Sequence, residues 1–356
     1  MKKFIQQSIS LSGLATLILI TLFSIKAHSQ SFVLDVPNES QEATVMQTIG
    51  LTNITVNYHS PAVKGRQVWD GIVPYGQLWR CGANENTLIS FTHDVKIEGK
   101  EIKAGTYGLH MIPNKEEWTI IFSSNTTSWG SFFYRPAEDV LRVNVKPEQM
   151  NESREWLTYE FFNREQQSAT LALIWEKIKV PVKIEVDVHK IVIASLKDQL
   201  RGTEGFTWRG WNDAAAYCLQ NNVEIEQGLT WIEVSIRSEA NFTNMRTKAG
   251  LLRLAGKQEE ADKIMKEAMP LASENELNAY GYQLMQAGDI DGAMEVFATN
   301  VKQHPKSWNV YDSYAEALAA KGDKKNAVKN YKKAKSLTKD EAQIKRIDGE
   351  IKKLEA

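Results

Sequence analysis

The side chains best suited to chemistry are concentrated between Ser60 and Asn86, where the chain reads SPAVKGRQVWDGIVPYGQLWRCGANEN. This stretch has neither a helical period nor the alternation of a strand, and it contains four glycines and two prolines. Such a composition predicts a shaped surface loop on a β scaffold. Tryptophan offers a flat apolar face for sugar rings and for the aromatic groups of peptides, and arginine offers a planar fork for carboxylates and phosphates. The stretch is therefore the first place to look for a binding site.

We expect six residues of this stretch to line one concave surface of a β domain and to bind a glycan or an anionic peptide. They are Arg66, Trp69, Trp79, Arg80, Asn84 and Glu85. The alternative is structural, because tryptophans of a β domain are more often core residues and an arginine beside one often only stacks on the ring. In that case Trp69 and Trp79 point into the core, and Glu85 neutralises Arg80.

Catalytic groups are scarce in the sequence, which favours a non-catalytic protein. There is no Gly-x-Ser-x-Gly elbow, no Walker or dinucleotide glycine pattern and no Cys-x-x-Cys pair. His59, His93 and His110 lack the spacing of metal ligands on one element, so we expect no metal and no cofactor. Candidate carboxylates for acid/base chemistry are Asp70, Glu85, Asp94, Glu98 and Asp139. The alternative function is a secreted hydrolase with an acid/base pair near Arg80 and Glu85.

The N-terminus predicts export. Lys2 and Lys3 precede an apolar run over residues 11–25, and the Ala-His-Ser sequence at 27–29 fits a small-x-small cleavage site. The run is shorter than the roughly 20 residues that a membrane span needs, which favours a signal peptide over an anchor. We therefore expect residues 1–29 to be removed and the mature protein to be periplasmic or secreted, with no membrane span.

Residues 30–187 are predicted to form an antiparallel β-sandwich or barrel. Short β-rich runs alternate with turn signals, and those at residues 50–53 and 99–100 predict hairpins. In the last run, from Val182 to Val188, apolar residues occupy every second position and charged residues the positions between them. No helical period intervenes between the runs, so an antiparallel arrangement is expected.

The period becomes helical after Asp187, and from residue 208 the chain repeats itself. Four small residues, at spacings of 33, 32 and 34, each stand four positions before a large apolar one. The pairs are Gly228 and Ile232, Ala261 and Met265, Ala293 and Phe297, and Ala327 and Tyr331. This pattern resembles the tetratricopeptide repeat, a helix pair that buries its apolar face only against its neighbours.

The repeat pattern predicts a linker helix and loop over residues 188–207 and a tetratricopeptide-like solenoid with a capping helix over residues 208–356. An unrelated helical bundle is the alternative. The repeats predict a protein or peptide partner along their concave face. The chain is basic from Lys321 onward, which we interpret as the solvated face of terminal helices rather than a nucleic-acid site. Cys81 and Cys218 fall in different predicted domains, so no disulfide is expected.

The stretch from Ser60 to Asn86 and the segments after it resemble a known family. In order, they read SPAVKGRQVWDGIVPYGQLWRCGANENTLISF, DVKIEGKEIKAGTYGLHMIP, EWTIIF, WGSFFY, DVLRVNVKP and LTYEF. This succession is similar to the domain of unknown function 2911 family of bacterial exported proteins, some of which have a helical-repeat tail. The resemblance covers residues 40 to 180. The family has no assigned activity, so the resemblance implies no catalytic residue.

What the resemblance implies is a signature within the loop. Its members here are Lys64, Gly65, Arg66, Trp69, Pro74, Tyr75, Trp79, Arg80, Gly82, Ala83, Asn84 and Glu85. The chain departs from the family at one position, because the family usually has threonine where this chain has Cys81. That departure puts in doubt any role of this side chain in nucleophilic chemistry.

Export is directly testable. Mass spectrometry of the native protein should give a mature N-terminus near Gln30, because cleavage is expected after the Ala-His-Ser sequence. Recovery of a chain that retains Met1 and Lys2 in the membrane fraction would contradict the prediction.

Overall fold

The computed structural model describes residues 37–356. The predicted signal peptide, residues 1–29, lies outside the described residues. The described chain forms two antiparallel sheets followed by ten helices in a solenoid-like arrangement. The fold class predicted from the two sequence periods is thus confirmed.

The β region lies between residues 41 and 185 and contains ten strands. They are β1 (Gln41–Ile49), β2 (Thr52–Ser60), β3 (Thr87–Phe91), β4 (Val95–Ile97), β5 (Lys100–Ile102), β6 (Gly105–Ile112), β7 (Trp118–Ser123), β8 (Asp139–Val145), β9 (Glu148–Phe162) and β10 (Ser168–Glu185). One sheet has the order β1-β2-β3-β6-β7-β8, and the other has the order β5-β4-β10-β9.

The two sheets share one hydrophobic core. Ile54 and Val56 of β2 enter it from the first sheet, and Val180 and Ile184 of β10 enter it from the second. Ile54 and Val56 are separated by one residue, and Val182 fills the alternate position between Val180 and Ile184, as expected when alternate residues of a strand face the same side. The alternation in the sequence therefore identifies the buried faces correctly.

Strand β10 differs from the sequence-based expectation. The sequence predicts separate strands at Ala169–Trp175 and Val182–Val188, but the structure has one strand of 18 residues. This strand pairs with β9 as far as Lys179 and with β4 from Ile184 onward. Pro181 lies between the two pairings, where its missing N–H costs no ladder hydrogen bond. Proline therefore marks a change of partner here and not the end of a strand.

The helical region consists of one helix, four helix pairs and a final helix. They are α1 (Val188–Gln199), α2 (Trp208–Asn221), α3 (Ile225–Ser238), α4 (Phe242–Leu254), α5 (Gln258–Ala268), α6 (Glu274–Gln286), α7 (Ile290–Gln303), α8 (Trp308–Lys321), α9 (Lys324–Leu337) and α10 (Glu341–Glu355). The two helices of each pair, α2–α3, α4–α5, α6–α7 and α8–α9, pack against one another. Among the helices of residues 37–356, none combines the length and the apolar character that a membrane crossing requires.

The repeated small residues lie on the second helix of each pair, and all four are buried. Ala261, Ala293 and Ala327 have no exposed surface. At Gly228, an added Cβ would lie only 2.9 Å from the Cβ of Cys218 on the preceding helix. The small side chains therefore allow the close helix contacts that the repeat alignment predicts.

The turns between paired helices need residues with positive φ. Gly256, Gly288 and Gly322 supply φ values of +77°, +83° and +89° in the last three pairs. The first pair has no glycine there, and Asn222 and Glu224 adopt φ values of +53° and +48° instead. Asparagine visits this region more readily than most residues. The first repeat is therefore divergent in sequence but makes a comparable turn.

Helix α1 packs on the sandwich. Val188 and Ile191 contact the core of the β region. Gly50, in the turn between β1 and β2, has a φ of +58°, and an added Cβ would lie 2.6 Å from Cγ1 of Val188. The start of α1 therefore packs on the β region, whereas Ile193 and Leu196 belong to the hydrophobic cluster formed with α2 and α3.

The contact between paired helices can be tested at Gly281. An added Cβ would lie 2.5 Å from Cε1 of Phe297 on the neighbouring helix. Gly281→Ala should therefore lower the free energy of unfolding by about 1–3 kcal/mol, despite the higher helix propensity of alanine. Denaturant titration measures the change.

The matched control is Gly349→Ala in α10, where an added Cβ has no neighbour within 4 Å. This substitution should raise stability by up to about 1 kcal/mol through helix propensity alone. Equal stabilisation by both substitutions would mean that α6 and α7 do not approach as closely as described.

Candidate functional site

The candidate site is built on the long connection between β2 and β3, residues 61–86. Three β-bridges attach it to the rest of the domain: Ala62 pairs with Trp156 in β9, Trp79 with Met111 in β6, and Glu85 with Trp129 in the loop after β7. The Trp79–Met111 bridge has two backbone hydrogen bonds of 2.8 Å. The connection is thus a shaped loop fixed to both sheets, as its composition predicts.

Gly82 shows why part of this loop tolerates little change. An added Cβ would lie 2.8 Å from Oγ1 of Thr87 and 3.0 Å from the carbonyl oxygen of His59. Just before it, the carbonyl oxygen of Cys81 accepts hydrogen bonds from Thr87 and from Tyr159. The loop therefore packs tightly immediately after Arg80, and this packing fixes the direction in which the arginine leaves the backbone.

Tryptophan contacts anchor the loop. Trp69 meets Trp118 and Trp175 edge to face, with centroids 5.0 and 5.8 Å apart. Trp79 stacks on Trp175 with centroids 5.9 Å apart and an angle of 19° between the planes. Both loop tryptophans pack against the sandwich core. Both rings are half-buried, and the structural alternative describes Trp69, whereas Trp79 also forms part of a cleft.

A cleft of about 280 Å³ lies between the loop, Trp175 and the residues that precede β1. Three of the six predicted residues, Arg66, Trp79 and Arg80, line it. Trp69, Asn84 and Glu85 are not among its walls. The structure thus brings together half of the predicted set and adds Lys64 and Glu39.

The charged side chains of the cleft are held in different ways. Arg66 donates from Nε to the carbonyl of Val63 at 3.0 Å and from Nη2 to that of Ala62 at 2.6 Å. Lys64 pairs with the exposed carboxylate of Glu39, at 3.3 Å between Nζ and Oε1. Arg66 is therefore oriented by its own loop, and Lys64 has only one exposed partner.

Arg80 is the least compensated cation of the cleft. Its Nε is buried and has no hydrogen-bond partner among the described residues. Its guanidinium carbon lies 5.6 Å from the centre of the Trp129 ring. Burial lowers the pKa of the Arg80 guanidinium, and the neighbouring Glu85 opposes the shift. Arginine remains protonated in proteins, so a half-buried positive charge faces the cleft.

Glu85 and Asn84 lie beside the cleft. The carboxylate of Glu85 lies 3.4 Å from Nδ1 of His59, and its side chain is 60% exposed. Asn84 donates a long hydrogen bond of 3.4 Å to the carbonyl of Ser40. Glu85 therefore lies against His59, forms no direct ion pair with Arg80 among the described residues, and acts on Arg80 only through its nearby charge.

Cys81 is buried in the core, where its thiol cannot act as a nucleophile. It is fully buried, and burial raises the pKa of its thiol well above the ordinary value. Thiolate, rather than thiol, is the reactive form. Cys218 is buried in a separate cluster formed by the helices.

The other candidate carboxylates do not form a pair. Asp94 accepts from Lys103 at 2.8 Å, and Asp139 accepts from Arg142 at 2.6 Å. Glu98 accepts from the backbone N–H of Lys183. Within residues 37–356, no group of three or more His, Cys, Asp or Glu side chains is placed to hold a metal ion.

An exposed aromatic group adjoins Arg80. Trp129, Phe132 and Phe133, in the loop between β7 and β8, are 52%, 76% and 70% exposed. The rings of Trp129 and Phe132 are nearly parallel, with centroids 6.0 Å apart. Gly130 has a φ of +66°, and an added Cβ would lie 3.2 Å from Nη1 of Arg80. The sequence analysis did not place Phe132 and Phe133 beside the candidate site, although the WGSFFY string contains both.

The comparisons with known proteins bear on the two parts separately. Residues 40–184 match the model of a family described as a protein of unknown function (DUF2911). The resemblance is confirmed over this segment. No curated protein matches the chain.

Solved structures are similar to the helical part. YrrB, described as a tetratricopeptide protein with an unusual peptide-binding site, is 15% identical and covers 45% of this chain and 83% of its own, with a TM-score of 0.27. MamA is 16% identical and covers 40% and 84%, with a TM-score of 0.28. The C-terminal part of a repeat protein from Cytophaga hutchinsonii is 13% identical and covers 41% and 58%, with a TM-score of 0.29. The repeat assignment rests on the helix geometry described above.

His110 provides a pH test of the sheet beneath the aromatic loop. Its ring packs edge to face with Tyr134 of that loop, at 5.4 Å between centroids, and its Nδ1 is buried without a hydrogen-bond partner. Burial lowers its pKa to about 4, and Asp139 opposes the shift. In the folded protein, the ring of His110 is therefore neutral at pH values above about 4.

Acidification should destabilise the fold through His110. The unfolded chain takes up the proton near pH 6.5, whereas the folded chain resists until about pH 4. Stability is therefore complete above pH 6.5 and falls as the pH drops towards 4, by about 1–2 kcal/mol at pH 5. In denaturant titrations at pH 7 and pH 5, His110→Phe should lose less stability than the wild type. A wild-type loss that persists in His110→Phe, or disappears in the control His93→Gln, would contradict this.

Proposed function

We propose that the protein is an exported, non-catalytic scaffold with two recognition surfaces. The cleft beside Arg80 binds an anionic ligand, a glycan or an anionic peptide. The helical repeats bind a protein or peptide partner. In this proposal the protein works in the periplasm or outside the cell.

The observation that carries the proposal is the convergence of three cations on one cleft. Lys64, Arg66 and Arg80 all line it, and among the residues that the structure describes Glu39 is the one carboxylate of its walls. The ring of Trp79 adds an apolar surface to the same space. Convergent charged groups beside an aromatic wall are typical of small-ligand sites. An anion would compensate Arg80, whose Nε has no partner within residues 37–356.

The helical region supports the second surface. Side-chain hydrogen bonds join the first helices of successive pairs. Thr243 of α4 donates to Glu276 of α6 at 3.2 Å, and Tyr282 of α6 donates to Glu316 of α8 at 2.7 Å. Arg246 also donates to the side chain of Gln283 at 3.1 Å. Half-exposed polar groups along consecutive first helices suit recognition of a peptide on the inner face of a solenoid.

One observation favours the hydrolase alternative. His59 and Glu85 form a possible acid/base pair, with 3.4 Å between Nδ1 and Oε2. Against it, Cys81 beside Arg80 is buried and protonated. Asp94 and Asp139 are paired with cations, and Glu98 accepts from a backbone N–H. Turnover of chromogenic glycosides, esters or peptides that is lost in Glu85→Gln would favour this alternative over the scaffold.

Array binding tests the cleft. The mature protein should bind acidic glycans or acidic peptides, and Lys64→Gln and Arg80→Gln should each weaken binding about tenfold or more through loss of a charged hydrogen bond. The matched control is Arg164→Gln, at an exposed arginine of the same domain that is outside the cleft. Equal binding by all variants, or no anionic ligand on any array, would overturn the proposal for this cleft.

A further inference from the structure

We propose that the group taken by the cleft is a phosphoryl dianion, carried on a small organic body that packs against Trp79. This inference rests on the proposed function and names its ligand chemistry. Sugar phosphates and the phosphomonoester headgroup of phosphatidic acid share this chemistry.

The first argument for a dianion is the net charge of the cleft walls. Of the wall residues within 37–356, Lys64, Arg66 and Arg80 are cationic and only Glu39 is anionic, which gives these walls a net charge of +2. Two further carboxylates lie nearby but outside the walls: Glu85 beside His59, and Glu155, which accepts from the backbone N–H of Lys64. A monoanion would leave one positive charge uncompensated in a partly desolvated site, whereas a dianion compensates both.

The second argument, for a phosphoryl group, is the set of hydrogen-bond donors that the cleft offers. Arg66 uses Nε and Nη2 on backbone carbonyls, which leaves its Nη1 for a ligand. The Nε of Arg80 is buried and has no partner among the described residues, so the Nη groups of this wall residue are the donors that a ligand would meet. Guanidinium groups bind phosphate oxygens with directed, charge-assisted hydrogen bonds, and lysine adds a point charge. A phosphoryl group has three terminal oxygens to accept from three side chains, whereas a carboxylate has two.

The third argument, for a small organic body, is the volume of the cleft and its apolar wall. A volume of about 280 Å³ corresponds to about nine water molecules at roughly 30 Å³ each. This space holds a phosphoryl group and one sugar-sized ring. Ile72, Val73 and Trp79 form an apolar side against which such a ring can pack.

The experiment is isothermal titration calorimetry on the mature full-length chain at pH 8, where a phosphate monoester is a dianion. The probes are glucose 1-phosphate, glucuronate with a similar ring and one negative charge, and neutral glucose. We expect glucose 1-phosphate to bind at least about tenfold more tightly than glucuronate, because it forms one more charge-assisted contact, and glucose not to bind.

The variants locate the site. Lys64→Gln and Arg80→Gln should each weaken binding of glucose 1-phosphate by about 10- to 100-fold, and Arg164→Gln should not. Lys64 is the safer position for folding, because its half-exposed side chain pairs with exposed Glu39 alone. Unchanged affinity in both cleft variants would place binding elsewhere and overturn the inference.

The remaining outcomes distinguish a free phosphate from a lipid headgroup. They also distinguish failure of the dianion inference from failure of the anion cleft itself. Inorganic phosphate that binds with the same dependence on Lys64 and Arg80 would support recognition of the free group. Binding confined to vesicles that contain phosphatidic acid would support a lipid headgroup. Glucuronate binding as tightly as glucose 1-phosphate would overturn the dianion inference but leave the anion cleft standing. No binding of any anion would overturn both.

Discussion

The packing of four indole rings determines where the charged groups of the β domain can lie. Trp69 and Trp79, from the loop, contact Trp118 of β7 and Trp175 of β10. Such aromatic pairs contribute about 0.5–1.5 kcal/mol each beyond the area they bury. They fix a connection that has no regular secondary structure of its own. Arg80 follows Trp79 directly, so its position is set by an aromatic contact inside the sandwich.

A fixed loop can hold a cation where a mobile one cannot. A flexible arginine would turn towards solvent, but Arg80 lies between the cleft and the ring of Trp129. Its buried Nε is left without a partner in the described part of the chain. Unsatisfied buried donors are uncommon because each lowers stability, and they concentrate where a site awaits a ligand or a water molecule. In the function proposed here, the packing that stabilises the loop also orients Arg80 towards the anion.

Sequence periodicity predicts both folds because each periodicity reflects one buried face. It cannot show which tryptophan also lines a cleft, since Trp69 and Trp79 are both large and apolar and lie in the same loop. Nor can it show that Glu39 and Trp175, 136 positions apart in the sequence, meet at that cleft. Pro181 reads as the end of a strand, yet β10 continues because the proline lies between two pairing partners. The walls of the cleft and the continuity of β10 depend on contacts between residues far apart in the sequence. Local sequence patterns contain no information about such contacts.

The central claim is that Arg80 faces a site for an anion, and arginine side-chain NMR tests it most directly. In protein labelled with ¹⁵N-arginine, the Nε–H resonance of Arg80 is assigned from the Arg80→Lys variant. Adding glucose 1-phosphate should shift this resonance and slow its exchange with water, because the group gains a hydrogen-bond acceptor. The resonance of Arg164 should not change. An Arg80 resonance that stays unshifted at saturating anion would contradict the account.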